Sequence, residues 1–413
     1  MPQLLKIGVS QSRTLSSLQE TLSALRETTQ SAAQKGVSIL LFPEAYLGGY
    51  PRTCSFGAAI GARTAAGRDQ FLAYTKSAVD LGDTPSGAGD DWTDRKLPVN
   101  KETGRRGDGT REFLEEVARE TGVFVVTGLI EKAGGSLYCA AVYVDPKRGI
   151  IGKRRKIMPT GSERLVWAQG QPSTLKAVAT TVKGIRVVMG CAICWENFMP
   201  LLRYSLYSQG VNLWLAPTAD ARDTWEPLMK TVAGEGRCFV LSTNQCMKKK
   251  DLPSWVTGNP SEWLAKQPKP ESETLMNGTA SSHHHSVSSG GRRLSMTRTE
   301  ENHEIAWRCK DSPIDESKPL ESSQQEVNNN NTTTPSTLPD GEEYVTRGGA
   351  CIVNPLGQTI AGPVWEKDNE LLWTEVDFDD CERGHLDFDA TGHYARPDAF
   401  KLTVEGLELI PPP

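Results

Sequence analysis

The 413-residue sequence has no long apolar run and no marked excess of charge of either sign. Its apolar stretches stay well short of the ~18 residues that a helix needs to cross a bilayer, and it does not open with the basic and apolar regions of a signal peptide. Its 46 basic and 51 acidic residues give a net charge of −5, which offers no electrostatic basis for binding nucleic acid or an anionic membrane. We therefore expect a cytoplasmic protein with neither partner.

Organised cysteine and histidine patterns are scarce as well. The nine cysteines, an odd number scattered along a long chain, do not resemble a disulfide framework. Cys191 and Cys194 have Cys-x-x-Cys spacing, but no second pair stands at the spacing of a zinc site, so we predict no metal. All six histidines lie at position 283 or beyond. A Cys–His dyad would therefore have to use His385 or His393.

Short apolar strands alternate with helical patterns over most of the chain. Leu4–Val9 and Val37–Phe42 are strand-like runs, and between them leucines recur at helical spacing. The alternation continues with strands at 123–130, 137–144, 184–190, 211–216, 237–243, 350–353 and 371–376 and with helices near 113–118, 199–208 and 224–234. Residues 146–175 show no clear pattern and are expected to be largely irregular. The alternation predicts an α/β layered fold.

Residues 251–342 differ from the rest of the chain in composition. About a quarter of them are apolar or glycine, against about half of the other residues. They include three consecutive histidines, four consecutive asparagines after Val327 and repeated prolines. Such a composition buries too little apolar surface to offset the entropy of ordering, so we expect a disordered insertion here.

Three reactive side chains follow predicted strands or a basic run. Glu44 comes directly after a buried strand, Lys156 closes the run that starts at Lys153, and Cys194 follows an apolar strand. Each has a structural explanation of its own: a helix cap or salt bridge, a solvated basic face, and an inert core thiol. Together they offer a base, a cation and a thiol, which are the groups that covalent catalysis by cysteine requires.

The motifs around these residues resemble those of the carbon–nitrogen hydrolase superfamily, in particular nitrilases of the plant and yeast type. The matching segments are Leu41–Ala45 with Gly49–Arg52, Arg155–Thr160 with Glu163, Arg164 and Trp167, Cys191–Asn197, and also 216–220, 235–240 and 347–353. Cys194-Trp195-Glu196 is the form typical of nitrilases rather than amidases. The similarity covers about 4–248 and 343–400.

The resemblance implies an α-β-β-α sandwich in which Glu44, Lys156 and Cys194 form a catalytic triad. Glu44 would be the general base and acid, Lys156 would stabilise the intermediate, Cys194 would be the nucleophile and Glu163 a supporting carboxylate. The implied reaction takes a small-molecule nitrile and water to the carboxylic acid and ammonia, with some amide as a by-product and with no cofactor. An amidase or carbamoyl hydrolase, a cyanide-hydrating enzyme and a non-catalytic scaffold protein are the alternatives.

The resemblance also suggests a pocket, a domain organisation and an assembly. The substrate-pocket candidates are Tyr50, Trp167, Trp195 and Phe198. Residues 1–248 and 343–400 would form a single catalytic domain, 249–342 a low-complexity insertion and 401–413 a C-terminal tail. We expect a homo-oligomer, either a dimer or a spiral assembly.

Overall fold

The computed structural model describes residues 2–87, 89–256, 294–298, 304–308 and 341–413. Its strands are β1 (Leu4–Gln11), β2 (Ile39–Leu41), β3 (Ala58–Ala59), β4 (Ala62–Arg63), β5 (Phe124–Ala133), β6 (Ser136–Asp145), β7 (Gly149–Arg155), β8 (Val178–Val182), β9 (Ile185–Cys191), β10 (Leu213–Thr218), β11 (Phe239–Asn244), β12 (Cys246–Lys248), β13 (Leu294–Arg298), β14 (Glu304–Arg308), β15 (Tyr344–Val353), β16 (Thr359–Trp365) and β17 (Glu370–Asp377). Its helices are α1 (Leu18–Gln34), α2 (Ala65–Ser77), α3 (Asp90–Thr93), α4 (Thr110–Thr121), α5 (Pro200–Tyr207), α6 (Trp225–Gly236) and α7 (Asp379–Asp387).

Two mixed sheets organise these elements. The first has six strands in the order β17-β1-β2-β5-β6-β7, and the second has the order β12-β15-β11-β10-β9-β8 with β16 paired to β15. The strands β1, β2 and β5 run parallel, as do β9, β10 and β11. Helices connect the parallel strands, as such crossovers require; α1, for example, begins at a capping box formed by Ser17 and Glu20.

Alternate residues of a strand point to opposite faces of its sheet, and the apolar residues therefore form three separate layers. Ile39 and Leu41 of β2 share one buried cluster with Leu213 and Leu215 of β10, so the two sheets pack face to face. Leu40 points the opposite way, into a cluster with residues of α1 and α4 on the outer face of the first sheet. Residues of α5 and α6 cover the outer face of the second sheet. This is the α-β-β-α sandwich that the resemblance implied.

The expectation that 146–175 is largely irregular was wrong for its first part. Residues Gly149–Arg155 form β7 at the edge of the first sheet, paired antiparallel with β6. Apolar periodicity does not reveal this strand because Lys153, Arg154 and Arg155 interrupt its apolar pattern. All three charged side chains are buried against acidic partners, so the basic run is not a solvated face. Two short 3₁₀ turns, Gly161–Leu165 and Pro172–Thr174, lie in the following stretch and β8 lies just after it; apolar periodicity predicts none of these elements.

Most of the predicted insertion lies outside the described residues. By its internal contacts the chain divides into a first unit, Met1–Lys266 with Thr337–Pro413, and a second, Gln267–Ser336, whose strands β13 and β14 pair antiparallel. Leu252, Trp255 and Val256 are buried in the core between the sheets, which therefore continues beyond residue 248. The domain boundaries from the sequence stay a prediction. No helix within the described ranges is long and apolar enough to cross a membrane.

Candidate active site

Loops at the strand ends bring the predicted catalytic side chains together in the first unit. Glu44 follows β2, Lys156 directly follows β7 and Cys194 follows β9. Residues near the carboxyl ends of strands are common positions for the reactive groups of α/β proteins because the strands fix where each loop begins. All three side chains are buried, with Lys156 fully so.

Lys156 links two carboxylates. Its Nζ donates a hydrogen bond to Glu44 Oε1 at 2.9 Å and another to Glu163 Oε2 at 2.8 Å, while its backbone N–H donates to the carbonyl of Cys139. Burial alone would lower the pKa of Lys156, but the negative charge of Glu44 and of other nearby groups outweighs it and raises the pKa well above its ordinary value. Lys156 is therefore a fixed ammonium at neutral pH.

The two oxygens of Glu44 have different surroundings. Oε1 accepts from Lys156 and from the Cys139 thiol, whose Sγ is 3.5 Å away. Oε2 is buried, and no hydrogen-bond partner for it lies among the described residues. Burial raises the pKa of Glu44 above its ordinary value, although Lys156 opposes the shift. A buried carboxylate oxygen with free lone pairs and a raised pKa is suited to accept a proton.

Glu163 is held by donors from three directions. It lies in the 3₁₀ turn Gly161–Leu165, where its Oε2 accepts from the Thr160 backbone N–H at 2.8 Å as well as from Lys156. Its Oε1 accepts from the Tyr50 hydroxyl at 2.8 Å. With its position fixed in this way, Glu163 shares the Lys156 ammonium with Glu44.

Cys194 lies on a strained turn between β9 and the 3₁₀ helix Cys194–Phe198. Its φ is 54°, in the left-handed region that a non-glycine residue rarely adopts. The hydroxyl of Thr218 lies 3.2 Å from its Sγ. Burial, followed by the charge of Glu44, raises the pKa of the thiol to about 12, while Lys156 and the Thr218 hydroxyl oppose the shift. The free thiol is therefore protonated at neutral pH and needs a base before it attacks.

The second cysteine of this segment has different neighbours. Cys191 ends β9, is buried in the core between the sheets and lies near Tyr143 and Arg154. Burial raises the pKa of its thiol to about 12 as well. Neither exposure nor thiol pKa therefore distinguishes Cys191 from Cys194. The strained turn, the contact with Thr218 and the electrostatic influence of Lys156 distinguish Cys194.

A further buried ion pair, which the sequence analysis did not single out, joins the cysteine turn to the lysine loop. Glu196 Oε2 accepts from Arg154 Nη1 at 2.6 Å and from the Ile193 backbone N–H at 2.9 Å. Its Oε1 accepts from the backbone N–H groups of Ile157 and Met158. Only the position of Glu196 within the Cys-Trp-Glu motif could have signalled its importance.

A cavity of about 470 Å³ opens at Cys194. Its lining comes from the loops 160–163, 194–195 and 219–222, from the start of β15 at 344–347, and from Tyr50 and Arg52. Its volume lies in the ordinary range for small-molecule pockets. Glu44 and Lys156 do not line it but lie buried close enough to Cys194 to influence the pKa of its thiol.

Two of the four predicted pocket residues line this cavity and two do not. Tyr50 and Trp195 are part of the lining. Trp167 is buried behind Tyr50, with ring centroids 5.3 Å apart, and Phe198 packs edge-on against Trp195 on the protein surface. The sequence does not give side-chain direction where the backbone has no periodicity, so a position next to a motif does not by itself predict a lining residue. Within the described ranges, no group of three or more His, Cys, Asp or Glu residues is arranged to hold a metal ion.

Comparison with known proteins places this site in a family. Residues 6–385 match the carbon–nitrogen hydrolase family. The chain is 33% identical to an arylacetonitrilase of Trametes versicolor over 98% of both chains, and 34% identical to an aliphatic nitrilase of Sinorhizobium fredii over 94% of this chain and 90% of that one. It is 32% identical to a bifunctional nitrilase/nitrile hydratase of Nicotiana tabacum over 95% of this chain and 83% of that one.

The fold agrees with these relationships. A crystal structure of a carbon–nitrogen hydrolase from Helicobacter pylori superimposes with a TM-score of 0.55 and covers 96% of each chain, at 14% sequence identity. At that identity the likeness concerns the fold alone, whereas the match over residues 6–385 and the identities above 30% over most of the chain establish kinship. The chain belongs to the carbon–nitrogen hydrolase family, in its nitrilase branch, and is a hydrolase that acts on carbon–nitrogen bonds.

Proposed function

We propose that the protein hydrolyses an organic nitrile to the carboxylic acid and ammonia through a covalent bond to Cys194. The observation that carries this proposal is the hydrogen-bonded row Glu44–Lys156–Glu163 beside a thiol on a strained turn, with Oε2 of Glu44 lacking a partner among the described residues. Glu44 in this row is a proton acceptor and Lys156 is a fixed cation, and the adjacent Cys194 is the nucleophile. Covalent addition to a nitrile requires these three groups.

In the first step the Cys194 sulfur attacks the nitrile carbon while its proton passes to Glu44 Oε2. One electron pair of the carbon–nitrogen triple bond moves to nitrogen, which takes up the proton from Glu44, so that a thioimidate results and Glu44 is ionised again. The Lys156 ammonium and the backbone N–H of Trp195 stabilise the charge that develops on nitrogen. Removing one preorganised donor of this kind typically slows turnover ~10²- to 10³-fold.

Two water molecules complete the reaction. The first, deprotonated by Glu44, adds to the thioimidate carbon and gives a tetrahedral intermediate that carries hydroxyl, amino and thioether groups. The carbon–nitrogen bond then breaks, its electron pair leaves with nitrogen, and protonated nitrogen departs as ammonia to leave a thioester. The second water cleaves the thioester and returns the proton to the Cys194 sulfur. In sum, nitrile and two waters become carboxylic acid and ammonia.

The same intermediate has a second exit. If the carbon–sulfur bond breaks first, the free enzyme is regenerated and the product is an amide, so some amide accompanies the acid. The name of the tobacco relative, a bifunctional nitrilase/nitrile hydratase, supports this branch. The Trametes and Sinorhizobium relatives are named for arylaceto- and aliphatic nitriles at nearly equal identity, so their names leave the substrate class open.

The test of the nucleophile compares two matched variants. Cys194→Ala is expected to abolish ammonia release from a panel of aliphatic, arylaceto- and cyanoamino acid nitriles and to eliminate any covalent adduct seen by intact mass. Cys191→Ala, which also removes a buried thiol, should retain activity within about tenfold because Cys191 only packs in the core. Activity in Cys194→Ala together with inactivity in a folded Cys191→Ala would reverse the assignment.

The same panel, extended with amides, carbamoyl compounds and cyanide, distinguishes the alternative reactions. Turnover of amides, carbamoyl compounds or cyanide in preference to organic nitriles would favour the amidase, carbamoyl hydrolase or cyanide-hydrating alternative.

We also propose a homo-oligomer in the cytoplasm, as the resemblance implies. Light scattering coupled to size exclusion would test the assembly, and a monomer at micromolar concentration would contradict it.

A further inference from the structure

Thr218 lies outside the predicted triad, and its side chain contacts the reacting sulfur. It is the last residue of β10, it is only 1% exposed, and its Oγ1 lies 3.2 Å from Cys194 Sγ. This separation is within the range of a hydrogen bond to sulfur, whose larger radius lengthens such contacts. Nothing in the proposed reaction so far uses this hydroxyl.

The direction of the Thr218 hydroxyl is restricted by its surroundings. The backbone N–H of Asp220 donates to Thr218 Oγ1 at 2.9 Å and so occupies one of its lone pairs. The Asp220 side chain is itself held by Trp195 Nε1 at 2.8 Å and by Arg222. The loop that carries these groups is therefore anchored, and the hydroxyl hydrogen of Thr218 is free to point at Cys194 once the sulfur carries negative charge.

Sulfur carries negative charge at three moments of the reaction. The first is the attack on the nitrile, as the proton leaves for Glu44. The second is the amide exit, where the electron pair of the carbon–sulfur bond leaves with Cys194 while the hydroxyl of the intermediate loses its proton and becomes a carbonyl. In the acid exit the sulfur remains a neutral thioether while the carbon–nitrogen bond breaks, and the electron pair of that bond leaves with nitrogen. The third moment comes later on that path, when the second water cleaves the thioester, so it does not affect the choice between the two exits.

We propose that the Thr218 hydroxyl is a catalytic group that donates a hydrogen bond to the Cys194 sulfur and thereby sets the ratio of amide to acid. The proposal rests on the nitrilase reaction proposed above. A donor to sulfur makes the thiolate a better leaving group, so it favours cleavage of the carbon–sulfur bond over the carbon–nitrogen bond. The same donor assists thiolate formation in the first step.

The matched pair Thr218→Val and Thr218→Ser tests this role. Valine keeps the branched shape but has no hydroxyl, and serine keeps the hydroxyl. We expect Thr218→Val to lower kcat/KM about 10- to 100-fold, the range for a hydrogen bond to a charged group, and to lower the amide-to-acid ratio about tenfold. Thr218→Ser should stay within a few-fold of the unmodified chain in both. Thr218→Ala serves in place of the valine variant if that variant does not fold.

A second measurement does not depend on nitrile turnover. The rate of alkylation by iodoacetamide, followed by intact mass against a Cys194→Ala background, reports the thiolate of Cys194. Thr218→Val should shift the pH dependence of this rate upward, and Thr218→Ser should restore it; a merely structural role of the threonine would not move it. Unchanged alkylation profiles in a folded Thr218→Val, or a higher amide fraction, would overturn the proposal. If the alkylation profiles shift as expected in the Thr218 variants but the unmodified chain turns over no nitrile, the proposed reaction is refuted instead.

Discussion

Two buried clusters at the end of β7 each pair a cation with carboxylates. They differ in how many oxygens of those carboxylates accept hydrogen bonds. In one, Arg154 meets Glu196; in the other, Lys156 meets Glu44 and Glu163. The two cations are only two residues apart and are equally buried. Charge, burial and position in the sequence therefore do not separate a structural cluster from a chemical one.

The carboxylate oxygens do separate them. Glu196 accepts four hydrogen bonds, from Arg154 and from three backbone N–H groups, so both of its oxygens are occupied. Glu44 has one oxygen occupied by Lys156 and Cys139, while Oε2 has no partner among the described residues. A saturated carboxylate holds two loops together, whereas a buried carboxylate with unused lone pairs retains the capacity to take a proton. The comparison supports a structural role for Glu196 and the proposed chemical role for Glu44.

The largest expected effect comes from Glu44→Gln. The variant keeps the shape of the side chain but removes its basicity, so the Cys194 proton has no acceptor. We expect kcat/KM for ammonia release to fall about 10²- to 10⁴-fold and the covalent adduct to become undetectable by intact mass. The thermal midpoint should change little because Lys156 retains Glu163 as its partner.

A normal yield of covalent adduct in Glu44→Gln would remove Glu44 from the role of base. It would also break the comparison, since the unused oxygen would then have no chemical meaning. Circular dichroism and the thermal midpoint, measured on the same sample, exclude unfolding as the cause of a loss.

The layers of the fold followed from the sequence because apolar side chains dominate them. Strands such as Val37–Phe42 are buried on both faces, and the alternation of Ile39, Leu40 and Leu41 between two clusters follows from strand geometry. β7 was missed because a strand can bury charged side chains when acidic partners are supplied by distant segments. Arg155, for example, pairs with Glu131 of β5, and such pairing cannot be read from local pattern.

The candidate site was predictable only as far as its motifs extend. The positions of Glu44, Lys156, Cys194 and Glu163 followed from resemblance to a family, and the structure brings the side chains of Lys156 and the two glutamates into direct contact. Their contacts with Cys139 and Thr218 depend on strands that meet only in the folded chain. The directions of Trp167 and Phe198 depend on loop backbone, which has no periodicity from which to infer them.

The next largest effect is expected on stability rather than chemistry. Glu196→Gln removes the charge partner of the buried Arg154, and breaking a buried pair in this way costs about 3–5 kcal/mol of unfolding free energy. The matched control is Glu116→Gln, which breaks the pair of Arg26 with a carboxylate whose side chain is 49% exposed; such pairs contribute at most about 1 kcal/mol. Urea unfolding followed by circular dichroism measures both.

A double variant sharpens this result. Arg154→Leu combined with Glu196→Gln removes both charges, so it should be more stable than Glu196→Gln alone, since no uncompensated buried charge remains. If Glu196→Gln were as stable as the unmodified chain but lost activity to the same extent as Glu44→Gln, Glu196 would belong to the chemistry and the distinction between the two clusters would fail.

The smallest effect is expected at Cys139, whose thiol contacts the occupied oxygen of Glu44 at 3.5 Å. Burial raises the pKa of Glu44, and the Cys139 thiol opposes this shift because it donates to the ionised form. Activity requires ionised Glu44, so kcat/KM should rise with pH along an acid limb that lies above pH 4.5, the ordinary pKa of the group. Cys139→Ala removes the donor, raises the pKa of Glu44 further and should move the acid limb to higher pH by less than about one unit. Cys139→Ser retains a donor and should leave the limb in place or lower it. An acid limb that moves to lower pH in Cys139→Ala would show that the Cys139 thiol does not lower the pKa of Glu44 through Oε1. The contrast with the saturated Glu196 would then rest on Oε2 alone.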